Sequence, residues 1–89
     1  MSNERAALAA EIRILLSDVL GIPPERASAF DDATELFGAL PELDSMAVAN
    51  LLAELEDRME IIVDADEVDG DMLGTFGALV DFVDRKIRP

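Results

Sequence analysis

A small all-α bundle is the fold class this sequence predicts: three main amphipathic helices plus one short helix, with a long first loop. Three observations carry that reading. Three separate stretches repeat apolar residues on a 3.6-residue period. No two segments read as strands that could pair with each other. Hydrophobic residues make up 51% of 89 residues, enough for one core despite a net charge of −13. One domain over residues 1–89 follows.

The first helix is expected over Asn3–Leu20. Leu8, Ile12, Leu15, Leu16 and Val19 fall on one face. Ser2 or Asn3 can cap its start, Gly21 sits where a C-terminal cap belongs, and Pro23-Pro24 cannot continue it. Ile22–Leu43 is then a long connection, because Pro23, Pro24, Gly38 and Pro41 oppose a continuous helix. Loops of this length inside a small domain are often functional. Phe30, Leu36, Phe37, Leu40 and Leu43 are its apolar anchors, and a short helical turn is expected at Thr34–Phe37.

The second main helix is expected from Ser45 to about Met59, with Val48, Leu51, Leu52, Leu55 and Met59 as its buried stripe. Asp44 is its N-cap, where a carboxylate also meets the positive end of the helix dipole. Met46, Ala47 and Ala49 lie off that stripe or at its edge and leave an apolar, low-profile surface beside Ser45. Ile61-Ile62-Val63 reads as a buried connector. Asp64 followed by Glu67 has capping-box spacing and predicts a short helix near Ala65–Asp69, ended by Gly70. The last helix runs from about Thr75, its cap, to Lys86, with Phe76, Leu79, Val80, Val83 and Ile87 facing the core. Arg85, Lys86 and Arg88 suit its negative C-terminal end.

Composition excludes several functions. With no cysteine and no histidine there are no disulfides, no thiolate metal sites and no imidazole base, and no metal site is expected. No apolar run approaches the roughly 18 residues of a membrane span, and the N-terminus does not lead into a signal-peptide core. A cytoplasmic monomer is the expectation. Residues 31–83 hold fifteen acids against Arg58 alone. Such a field repels nucleic acid and favours partners with basic patches. An EF-hand with Gly70 as its glycine would begin at Ala65 and end at Phe76, where acids are required, and the register starting at Asp64 puts Val68 and Asp69 at the fifth and sixth positions. Both registers fail.

Ser45 is the candidate functional residue. A serine hydroxyl is a poor nucleophile without a base, Lys86 is the only lysine, and there is no Gly-x-Ser-x-Gly elbow. An enzyme is not expected. A helix N-terminus is a favourable site for a phosphate, however, because unpaired amides and the dipole face it. Asp44-Ser45-Met46, followed by Val48-Ala-Asn-Leu-Leu-Ala-Glu-Leu-Glu-Asp57 and closed by Thr75-Phe-Gly-Ala-Leu-Val-Asp-Phe-Val83, resembles the acyl carrier proteins. In that family the motif is usually Asp-Ser-Leu. The Leu20-Gly21-Ile22 turn also fits.

The resemblance implies that Ser45 receives 4′-phosphopantetheine from coenzyme A through a separate phosphopantetheinyl transferase with Mg²⁺, flanked by Asp44 and Met46. The terminal thiol would carry acyl groups as thioesters to acyl-loading and acyl-processing enzymes. Glu42, Ala47, Glu54, Glu56 and Asp57 are then the candidate partner-facing residues. Ala47, Asn50 and Arg58 depart from the acidic pattern of many fatty-acid carriers, which implies a specialised pathway. Pro41–Met46 and Val63–Asp69 look like a carrier subgroup associated with exosortase and exopolysaccharide gene clusters. The rival reading is an acidic helical interaction module that is never modified.

Burying one leucine contributes about 1.5–3 kcal/mol, against a marginal total stability. Leu55→Asp should therefore abolish the cooperative thermal transition. A native circular dichroism spectrum with an unchanged midpoint would refute the bundle.

Overall fold

The three apolar stripes converge on one core. Residues 3–88 are described by a computed structural model. Its long helices are α1 (Asn3–Leu20), α3 (Ser45–Met59) and α4 (Phe76–Ile87), with a four-residue α2 (Pro24–Ala27) and a 3-10 turn at Ala65–Glu67. Helix α1 packs against α2, α3 and α4. Ile12, Leu15, Leu16, Leu51, Leu55, Phe76, Leu79, Val80 and Val83 are buried as their spacing predicts, and Val19, Val48, Leu52 and Met59 are partly buried around them. Phe82, off the predicted stripe, is buried too.

Most helix ends follow local chemistry. Asp44 accepts from the amide of Ala47 at 2.8 Å and caps α3. Thr75 accepts from the amide of Ala78 at 3.1 Å and caps α4. Glu67 accepts from the amide of Asp64 at 2.9 Å, one half of the predicted capping box. Gly21 ends α1 at φ +70°, a left-handed conformation that costs glycine least. The capping role assigned to Ser2 lies outside the described residues.

The long connection differs from expectation. The helical turn is not at Thr34–Phe37 but at Pro24–Ala27, where Pro24 occupies the first helical positions that tolerate proline best. Residues 34–37 instead pair at long range. Glu35 and Thr75 form an antiparallel bridge, the amides of Leu36 and Phe37 donate to Gly74 and Leu73 at 3.0 and 2.9 Å, and the amide of Phe76 donates to Thr34 at 2.8 Å. Of the predicted anchors, Phe30, Leu36, Leu40 and Leu43 are buried, but Phe37 is 48% exposed. Ile62 is 75% exposed and Ile87 43% exposed, so neither joins the core as predicted. Ile61 is buried and Val63 partly so. The 3-10 turn is over by Val68, and Gly70 belongs to the turn that follows it.

Two features seat the connection. The amide of Gly77 donates to the carbonyl of Asp32 at 3.1 Å, and a Cβ on Gly77 would stand 2.9 Å from both that carbonyl oxygen and the Cβ of Asp32. Arg13 donates from Nε to the carbonyl of Phe30 at 2.9 Å, with its guanidinium 5.0 Å from the centre of the Phe76 ring. Phe30 and Phe76 stack at an angle, 6.1 Å apart.

Intrinsic propensity alone favours alanine over glycine by about 1 kcal/mol in a helix. At position 77 the backbone of Asp32 opposes it, and overpacking costs about 1–3 kcal/mol. Gly77→Ala should therefore lower the thermal midpoint by several degrees. A higher midpoint would show that the loop does not approach α4 so closely.

Candidate functional site

Ser45 is the first residue of α3 and is exposed. Three restraints fix where it stands. Leu43, two residues earlier, is buried and donates its amide to the carbonyl of Leu40 at 3.1 Å. Asp44 is extended, holds the Ala47 amide through its carboxylate, and accepts at its carbonyl from Val48 at 2.9 Å. Glu42 is bound by Arg26 of α2, with Nη1–Oε2 at 2.5 Å and Nη2–Oε1 at 3.2 Å. The hydrogen bond from Arg26 is the largest cause holding the Glu42 carboxyl below the usual glutamate range.

Beside the serine lies a groove of about 260 Å³, lined by Phe37, Ser45, Val48, Val68, Asp69, Gly70 and Leu73. Its walls are mostly apolar. They come from the start of α3 and from the loop between the 3-10 turn and α4, with Phe37 at the rim. Met46 is 78% exposed on the outer side of the same helix turn. No group of three or more histidine, cysteine, aspartate or glutamate side chains that could hold a metal occurs among the described residues.

The candidate partner-facing residues separate. Glu54 is bound by Arg58 one helical turn later at 2.9 Å, and Arg58 also reaches Asp18 of α1 at 3.0 Å. Glu56 accepts from the amide of Val63 at 2.9 Å and so closes the chain reversal after α3. Ala47 is half-buried and packs against the core. Asp57 is exposed and has no ion pair among the described residues. The exposed positions nearest Ser45 on α3 are Met46, Ala49, Asn50 and Ala53, none of them acidic. Sequence reasoning missed the tether from Arg26, which has no local signal. The Glu54–Arg58 pair was readable from its four-residue spacing.

The family described as phosphopantetheine attachment site matches residues 10–83 of the chain. The chain belongs to this acyl carrier, phosphopantetheine-binding family. The solution structure of a holo acyl carrier protein from Nitrosomonas europaea is similar over 91% of this chain and 96% of its own, with 37% identity and a TM-score of 0.83. No curated protein matches the sequence. Carriers of this family are not enzymes, and their cofactor is covalent 4′-phosphopantetheine. The fold fits such a group, since its one predicted attachment residue is exposed at a helix start next to an apolar groove. No helix is long and apolar enough to cross a membrane among the described residues.

Losing an N-cap costs about 0.5–2 kcal/mol. Asp44→Ala should lower the thermal midpoint by several degrees, whereas Asp44→Asn, which can still cap, should stay close to the parent. Equal losses in both would mean that the charge, not the cap, holds the helix start.

Proposed function

We propose that Ser45 is the attachment residue and that residues 1–89 form one carrier domain. The observation that carries this reading is an exposed serine at the first position of a capped helix, within the matched family region and opening onto an apolar groove. A phosphopantetheinyl transferase would transfer the arm from coenzyme A with Mg²⁺. The arm supplies a terminal thiol on which an acyl group is held as a thioester. The chain's own part is to present the serine, to offer the groove wall of Val48, Val68 and Leu73 as apolar shelter, and to keep competing nucleophiles away. The absence of cysteine serves the last of these.

Asp44 keeps the helix start rigid while the amides of Ser45 and Met46, ahead of the capped Ala47 amide, remain outside the cap. Those amides and the helix dipole favour a phosphodiester at this position. The acyl-processing partners would carry basic patches drawn by the net charge of −13. A specialised pathway, rather than housekeeping fatty-acid synthesis, is supported by the uncharged exposed stretch Met46, Ala49, Asn50 and Ala53, and by the internal pairing of Glu42 and Glu54. The exosortase- and exopolysaccharide-associated subgroup is the pathway class we favour, on the resemblance of residues 41–46 and 63–69. The protein would act as a cytoplasmic monomer.

Incubation with coenzyme A, Mg²⁺ and a broad-specificity phosphopantetheinyl transferase should add one phosphopantetheinyl mass to the parent and none to Ser45→Ala. No gain across several transferases would favour the unmodified interaction module.

A further inference from the structure

Glu42 stands two residues before the Asp44 cap and three before Ser45. The fork of Arg26 meets both of its carboxylate oxygens, a bidentate arrangement that fixes direction as well as distance. Helix α2 is seated by its packing against α1 and by buried Ala27. The segment from Pro41 to Asp44 is held inward by Leu43, while the side chain of Glu42 is fixed by Arg26. The pair therefore ties a seated helix to the short piece of chain that delivers Ser45.

We propose that Arg26 is a positioning residue for the loading of Ser45: acting through Glu42, it holds Pro41–Asp44 in the arrangement that a transferase engages. This rests on the reading of Ser45 as the attachment residue. It also removes Glu42 from the set of docking acids, because its carboxylate is committed within the chain. The mutual effect of the two groups agrees, with hydrogen bonding as the leading cause that lowers the Glu42 carboxyl and raises the Arg26 guanidinium. Partly exposed ion pairs have modest effects, so the expected change in rate is a small multiple and not an abolition.

The test is the initial rate of phosphopantetheinyl transfer from coenzyme A, at low salt. The substrates are the parent chain, Arg26→Gln, Glu42→Gln, the double variant, and the reversed pair Arg26→Glu with Glu42→Arg. Each single change should lower kcat/KM by about three- to five-fold. The double variant should be no worse than either single one, as expected for two residues acting as a unit. The reversed pair should regain most of the loss, as expected if the ion pair itself and not either residue alone sets the rate.

Direct docking of Glu42 onto a partner gives the opposite pattern. Glu42→Gln would then slow loading, while Arg26→Gln, which uncovers the carboxylate, would leave the rate unchanged or raise it. That pattern, additive losses, or equal rates throughout would overturn the proposal while leaving Ser45 as the attachment residue. A parent chain that takes up no phosphopantetheinyl group would overturn both.

Discussion

The pairing of residues 32–37 with residues 73–77 is the constraint on which the rest of the structure depends. A long connection with only one short helix must still satisfy its backbone amides and carbonyls, since a buried unpaired group costs about 1–3 kcal/mol. This one does so by bonding Leu36, Phe37, Thr34 and Asp32 to the chain entering α4. The close approach needs a residue without a side chain at 77. Once the loop is seated, Leu36 is buried, Phe30 meets Phe76, and Arg13 can reach from α1 to the Phe30 carbonyl. What remains of the connection has only to run past Leu40 and Leu43 to the start of α3. The location of Ser45 is thus a consequence of where the loop is fastened, as much as of the helix that follows it.

The parts of this fold that the sequence announces are those set by neighbours. Apolar periodicity located α1, α3 and α4, and the side chains of Asp44, Thr75 and Glu67 took up cap bonds to amides within three residues of themselves. The parts it hides depend on distant partners. Nothing near Thr34 reveals that its carbonyl will meet Phe76, and nothing near Gly77 reveals that Asp32 will lie against it. Phe37, Ile62 and Ile87 illustrate a further limit. Apolar identity alone does not assign a face in a loop or at a helix end, where the period that would orient a side chain is absent or running out. At the candidate site, Asp44, Ser45 and Met46 were visible as a motif. The groove beside them was not, because Val68, Asp69 and Leu73 reach it from the other side of the chain.

The same distinction separates the amount of acid from the acid that is free to act. Basic side chains are scarce here, and the structure uses them as cross-links. Arg5 joins α1 to Asp81 of α4, Arg58 joins α3 to Asp18 of α1, Lys86 holds Glu67 of the 3-10 turn, and Arg88 pairs with Asp84 and Glu4. Exposed pairs of this kind each add little to stability. Their larger effect is on the surface, because they remove particular carboxylates from contact with other molecules.

Pairing leaves the net charge unchanged, since each cross-link was already counted in it. A long-range field and a local contact therefore make different demands on this chain. The field depends on the sum, so an approaching basic surface is still attracted and turned. The contact depends on what faces outward within a helical turn or two of Ser45, and there the chain offers Met46, Ala49, Asn50 and Ala53. The nearest acid at the groove is Asp69, which accepts from the Met72 amide at 2.9 Å yet carries no opposing cation among the described residues. Attraction is thus distributed over the molecule, whereas the surface around the serine combines an uncharged helix face with the carboxylates of Asp44 and Asp69.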